Sequence, residues 1–167
     1  MLPTWDNIVS LSVIGLYAVP FFLALAQQNV TELSPFLGML VTVGLNETIK
    51  HFLVGTASPR PSQARDCNLW GNNGPQGGRP GMPSGHSAHV SFFVGYYLQY
   101  VFSSPSSTTH RILAVLLVVY ALLVMTSRYT LHCHTLPQIL SGATLGFLLS
   151  VLWYRVVTPA IHSSVRP

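Results

Sequence analysis

Apolar residues in this chain come in long blocks, broken by short polar or Gly/Pro-rich stretches. A helix needs roughly 20 mostly apolar residues to span a bilayer. Five blocks come near that length: 8–26, 33–55, 84–102, 111–126 and 137–157. The first is uncharged and contains Pro20, which predicts a kink. The second turns polar towards its end, at Asn46, Glu47, Lys50 and His51. The third is rich in aromatic residues, and the fourth is short. In the fifth, Pro137 suits a first helical turn, where a missing N–H does no harm. Gly142 and Gly146 have a spacing that lets helices pack closely, although ordinary glycine use in a membrane helix also produces it. The segment 56–82 is crowded with Pro, Gly, Asn and Arg, and no helix fits there. The pattern predicts an all-α, polytopic membrane helix bundle of about five transmembrane helices, with residues 1–167 forming one domain.

Composition supports that class. Only 7% of residues are Asp, Glu, Lys or Arg, against about 25% in a typical soluble domain. The formal net charge of +4 comes mostly from arginine, and Lys50 is the only lysine. There is no clustered Lys/Arg stripe of the kind that binds nucleic acid. The opening MLPTWD lacks a basic region and a small-residue cleavage site, so the first block is expected to stay in the mature protein.

Counting spans brings the polar ends together. The end of the second block, the start of the third, the end of the fourth and the start of the fifth all fall on one membrane face. Arg111, Arg155 and Arg166 flank the other face, which favours that face as cytoplasmic. The polar face then looks into a lumen or out of the cell. Asn29-Val30-Thr31, a glycan acceptor pattern, lies on the cytoplasmic side and is expected to stay unmodified. Cys67 and Cys133 share the polar face. They can pair in an oxidising lumen; two free thiols is the alternative.

Three segments on that face carry chemistry. In Pro83-Ser84-Gly85-His86, Pro83 breaks structure and Ser84 is a good N-cap. The helix N-terminus that follows presents free amides to a phosphate. Gly85 lets backbone approach an anion closely, and His86 can give or take a proton near neutral pH. Alone, this is also an ordinary loop-to-helix junction. In Ser127-Arg128, with His134 six residues after the arginine, the guanidinium can grip two phosphate oxygens. The imidazole can attack phosphorus. Alone, these are also an interfacial arginine and a solvated histidine. Arg60-Pro61, ten residues after Lys50, adds charge that would stabilise a phosphoryl transition state. Glu47 and Lys50, three apart, can pair on one helix face, which also simply neutralises the second helix.

Taken together and in this order, a basic segment, PSGH and SR-x5-H resemble the type-2 phosphatidic acid phosphatase superfamily of membrane lipid phosphatases and haloperoxidases. The resemblance covers about residues 45–138. The superfamily motifs read K-x6-RP, PSGH and SR-x5-H-x3-D. This chain departs twice. Gln138 stands where an aspartate is usual, and Lys50 lies one helical turn before the usual lysine position. Leu45-Asn46-Glu47, Gly81-Met82, and His134-Thr135 closing with Gln138 look like the dolichyl-diphosphatase branch. That branch removes one phosphate from dolichyl diphosphate at the lumenal face of the endoplasmic reticulum.

The resemblance implies roles. His134 attacks the terminal phosphorus to form a phosphohistidine. His86 protonates the leaving oxygen and then activates water. Arg60, Arg128, Ser84 and the Gly85 amide hold the phosphate, with Lys50 assisting. Gln138, four residues after His134, faces the same side of a helix, and its carbonyl can accept the far imidazole N–H. Gln138→Ala is expected to lower turnover, and Gln138→Asp to leave measurable activity. The expected partners are membrane lipids and a lipid phosphate, isoprenoid or other. No cofactor is called for. A zinc site can be drawn from His86, His89, His132 and His134, but carboxylate ligands are scarce. A phosphatidate or glycerolipid phosphatase, a non-catalytic scaffold of the same fold and a small transporter are the competing readings.

Overall fold

In the computed structural model of the protein, residues 5–67, 74–103 and 107–165 are described. Arg166 and residues 104–106, between the third and fourth blocks, lie outside them. The five expected blocks form five long helical stretches, and no strand longer than an isolated bridge occurs among the described residues.

Helix α1 runs over Trp5–Gln27. It is α-helical at Trp5–Ser12, tightens to 3-10 geometry at Val13–Tyr17 and returns to α at Ala18–Gln27. Pro20 explains the change. It has no N–H for the carbonyl of Leu16, and its ring crowds that carbonyl. Helix α2 covers Ser34–Thr48, with Pro35 in its first turn, and continues as a π-helical stretch over Ile49–Val54. Helix α3 covers Gly85–Ser103. Helix α4 covers Thr108–Thr130, several residues longer than its apolar run. Its first turn is capped by Ser107, whose Oγ accepts the His110 N–H at 3.1 Å. Its last turn contains Ser127 and Arg128, polar residues that the hydropathy pattern leaves outside. Helix α5 covers Leu136–Leu152 and runs on through a π-helical turn at Trp153–Val157 into Thr158–Val165.

Among the described residues, three helices are long and apolar enough to cross a membrane: Trp5–Gln27, Thr108–Thr130 and Leu136–Ser163. They expose Phe21, Phe22 and Leu25, then Val115, Leu116 and Leu122, then Leu140, Leu148 and Leu152. Apolar belts of this size belong against acyl chains rather than water. Length and hydropathy thus support three of the five expected spans, and packing accounts for the more polar composition of the other two helices. Helix α3 is enclosed by α2, α4 and α5 and is buried on all sides from His86 to Tyr96. A helix that meets protein all round can carry His86, Ser87, His89 and Ser91 without presenting them to lipid. Helix α2 spends its last turns on polar residues of the site.

Small residues bring α3 and α5 together. A Cβ placed on Gly146 would lie 2.0 Å from the Ala88 carbonyl oxygen, and one on Gly142 would lie 2.3 Å from that of Ser84. The Gly142/Gly146 spacing therefore sets a backbone-to-backbone contact at the start of α3. Gly146→Ala is expected to destabilise the fold by ~1–3 kcal/mol through overpacking. Gly44, on α2, has open space where its Cβ would stand. Gly44→Ala should leave the unfolding temperature unchanged or slightly raised, because alanine favours helix. Thermal unfolding of both variants in detergent checks the pair.

Candidate active site

Four helix ends meet at one end of the bundle. They enclose a cavity of about 450 Å3 lined by Lys50, Arg60, Arg79, Gly85, His86, His89 and His134, among others. The described parts of the loop between α2 and α3 pair through antiparallel bridges at Pro59–Pro80 and Arg65–Pro75, and Arg60, Gln76 and Arg79 from them line the cavity. The Arg60 N–H donates to the Arg79 carbonyl at 2.8 Å, and the Gln76 N–H donates to that of Ala64 at 2.7 Å. This pairing fixes Arg60 at the cavity wall. A disulfide between Cys67 and Cys133, with Cα atoms 5.5 Å apart, ties the same loop to the α4–α5 turn. The free-thiol alternative is thereby replaced. Sequence gave no distance between two cysteines 66 residues apart, and the fold brings them together.

His134 sits in the turn between α4 and α5, 2% exposed. The turn is tight: the N–H groups of Cys133 and His134 both donate to the Arg128 carbonyl, at 3.1 and 3.2 Å. His132 takes a left-handed φ of 52° to allow it. The His134 Nδ1 lies 3.3 Å from Gln138 Oε1. The glutamine's orientation follows from its other partners. Its Oε1 accepts the Thr135 N–H at 3.1 Å, completing a capping box at the start of α5. Its Nε2 donates to the Pro59 carbonyl at 2.8 Å and to the Ser58 carbonyl at 3.2 Å. Flipping the amide would set donor against donor and carbonyl against carbonyl. Gln138 Oε1 therefore accepts from His134 Nδ1–H, and Nε2 keeps its lone pair. The predicted His134–Gln138 bond is present. Its anchoring to Ser58 and Pro59, immediately before Arg60, was not visible in the motif.

His86 lies in the first turn of α3 and lines the cavity. Its Nε2 is 3.2 Å from the Oγ of Ser10 on α1. The displaced Lys50 also reaches the cavity. It lies in the π-helical stretch after α2, where the wider turn changes the direction of successive side chains. A Cβ on Gly85 would lie 3.8 Å from Lys50 Nζ, which sets the ammonium beside the N-terminus of α3. Lys50 also pairs with Glu47. The Ser84 hydroxyl accepts from Ser87 at 3.1 Å, and the Ser84 N–H donates to the Gln138 carbonyl at 2.9 Å. Ser84 and Arg128 are fully buried and stand behind the cavity lining. Arg128 donates one terminal N–H to Ser10 Oγ and another to the Cys67 carbonyl at 2.9 Å. Ser10 escaped the sequence reading, although a signal existed. Alternating spans place the start of α1 on the site face, and Ser10 is a polar residue at that end.

Charge in the cavity is predominantly positive, and one donor at its lining and one behind it are unspent. Arg60 Nη1 and Arg128 Nε are buried without a hydrogen-bond partner. Unsatisfied buried donors on cations are costly, and an oxyanion in the cavity would supply acceptors. Burial, then the nearby Arg79, lowers the Arg60 pKa against the opposing pull of Glu47. The His134 pKa is held well below 6.5, first by burial and then by the charges of Arg60, Arg128 and Lys50. The unprotonated imidazole is the nucleophilic form, so the sign is favourable. The acid limb of kcat/KM that reports His134 should lie below pH 6.5. Removing a depressing cation in Arg60→Gln should move that limb to higher pH in the residual activity. A limb that stays in place would separate Arg60 from His134. Among the described residues, no group of three or more His, Cys, Asp or Glu comes together to hold a metal ion.

Comparison with known proteins agrees with this geometry. Residues 31–161 match the PAP2 superfamily, and the chain belongs to it. It is 29% identical over 168 residues to Dolichyldiphosphatase 1 of Mus musculus, covering 94% of this chain and 66% of that protein. It is 30% identical over 135 residues to Dolichyldiphosphatase 1 of Rhinolophus ferrumequinum, covering 73% of this chain and 52% of that protein. The chain thus spans roughly half to two thirds of the length of these curated relatives. The fold is similar to the crystal structure of a transmembrane PAP2-type phosphatidylglycerolphosphate phosphatase from Bacillus subtilis. The TM-score is 0.63 at 20% identity, covering 99% of this chain and 81% of that one.

Proposed function

We propose that this protein is a PAP2-type lipid phosphatase that works through a phosphohistidine on His134. The observation that carries the reading is the unpartnered buried guanidinium donor of Arg60 beside His86, His89 and His134 in one cavity at the end of a lipid-facing bundle, with a second unpartnered donor, on Arg128, behind the lining. The Nε2 lone pair of His134 attacks the terminal phosphorus. A P–N bond forms as the P–O bond to the lipid breaks. The leaving oxygen takes that electron pair and a proton from His86. Water then gives a proton to His86 and its oxygen to phosphorus. The P–N bond breaks, its electron pair returns to His134, and inorganic phosphate leaves. Arg60, Lys50, Arg128, Ser84 and the Gly85 amide stabilise the equatorial oxygens through these steps.

For the lipid, sequence similarity along 94% of the chain to a dolichyldiphosphatase supports a polyprenyl diphosphate, cleaved to the monophosphate. A glycerolipid phosphate is the second reading, favoured by the fold shared with the Bacillus subtilis phosphatase. The Cys67–Cys133 disulfide supports an active site facing an oxidising compartment, as an endoplasmic reticulum lumen would be. Phosphate release by purified protein in detergent, with EDTA present, tests the activity. Polyprenyl diphosphate, phosphatidate and phosphatidylglycerol phosphate are supplied in parallel. Faster release from the first supports the isoprenoid reading, and faster release from either glycerolipid supports the other. Release from none of them by folded protein rejects the phosphatase.

A further inference from the structure

We propose that Ser10, on the first helix, is a positioning residue of the reaction, because its hydroxyl oxygen holds His86 and Arg128 in their working orientations. The inference rests on the phosphatase reading above. It starts from a juxtaposition of three helices. Ser10 from α1, His86 from α3 and Arg128 from α4 are all buried, and Ser10 Oγ is the shared contact. Residues 76 and 118 positions apart in sequence meet at one oxygen.

The hydrogen-bonding inventory sets what that oxygen does. A guanidinium only donates, so Ser10 Oγ accepts from Arg128. For His86, Nε2 is the nitrogen taken up by Ser10, which leaves Nδ1 as the one to exchange protons with the leaving oxygen and then with water. Through such a cycle Nε2 keeps its proton in both charge states of the ring. Ser10 Oγ is the acceptor for that proton throughout. It thereby fixes both the tautomer and the plane of His86. The same oxygen takes one terminal N–H of Arg128, while the Cys67 carbonyl takes another at 2.9 Å. With those two groups tethered, Nε is the Arg128 donor left without a partner. Without Ser10, two buried donors lose their acceptor, which is expensive unless they move. The side chains that must hold still during phosphoryl transfer would be the ones to move.

The test separates hydrogen bonding from packing. Ser10→Cys keeps the size of the side chain but offers only a weak acceptor, whereas Ser10→Thr keeps the hydroxyl. Each is assayed with Ser10→Ala and wild type on polyprenyl diphosphate and phosphatidate, using fractions that elute as folded protein in detergent. On the lipid that the wild type turns over, kcat is expected to fall by roughly 100-fold in both the Cys and Ala variants, the low end of what one acid–base group contributes. KM should change far less, and Ser10→Thr should recover most of the rate. In a His86→Ala background, Ser10→Cys should add a much smaller loss, because much of its effect acts through His86. A Cys variant with wild-type kcat, or an undiminished loss in the His86→Ala background, overturns the proposal and leaves Ser10 a packing residue. If Ser10→Ala does not fold, the Cys and Thr variants still decide. An inactive wild type would instead reject the phosphatase reading, and this inference with it.

Discussion

His134→Ala is expected to abolish phosphate release, by at least about 10,000-fold, while leaving the fold intact. The side chain is the nucleophile of the proposed reaction, and nothing in the cavity can replace it. His86 lies on α3, with Nε2 engaged by Ser10. His89 lies one turn further into the bundle, against the ring of Tyr17 at 5.9 Å. The loss should be in kcat rather than KM, because Arg60 and Lys50 remain to bind the phosphate. A second measurement makes the role explicit. Rapid quenching of wild type with a lipid carrying a labelled terminal phosphate should trap protein-bound label that is stable to base and released by acid. His134→Ala should trap none. Label retained in His134→Ala would move the nucleophile elsewhere and overturn the mechanism.

The second large effect is expected at Gln138. Gln138→Glu keeps the shape but exchanges the donating amide group for an oxygen. That oxygen would face the carbonyls of Ser58 and Pro59, which now lie 3.2 and 2.8 Å from the amide nitrogen. Acceptors at such distances repel, and the loop carrying them leads directly into Arg60. We expect kcat/KM to fall between roughly 100- and 1000-fold, the scale seen when an oxyanion loses a donor. KM should rise as Arg60 is displaced. Gln138→Ala should lower kcat with a smaller effect on KM, since it frees the loop without repelling it. Gln138→Asp resembles the superfamily pattern, so the motif alone suggests measurable activity. The structure adds that aspartate is one methylene shorter and lacks the donor for Ser58 and Pro59, so its rate should also be reduced. Steady-state kinetics of the three variants check this order. Wild-type kinetics in Gln138→Glu would show that the loop anchor is dispensable.

Much of the site was legible in the chain because its chemistry depends on local spacing. PSGH opens a helix, the turn from Arg128 to His134 reverses direction, and Gln138, four residues beyond His134, is the third residue of the helix that follows the turn. Each places a side chain through its neighbours in sequence. Lys50 was harder. Counting from Arg60 put it out of register, and the π-helical stretch that helps present it to the cavity leaves no clear signature in composition. Ser10 was missed for a different reason. One serine in an apolar span has no motif, and its meaning comes from the partners that other helices bring to it.

By itself, the sequence determined the all-α membrane class, the order and approximate extent of the helices, and the face on which the reactive groups gather. These follow from hydropathy and the alternating direction of spans, properties of consecutive residues. Only the tertiary structure decided that α3 is the enclosed helix, that Cys67 bonds Cys133, and that Gln138 anchors the Arg60 loop. It also decided that Arg128 and His86 meet at Ser10. Each of these depends on groups far apart in the chain approaching within hydrogen-bonding or covalent distance. Helix packing sets that approach, here through the contact of Gly142 and Gly146 with the backbone of α3.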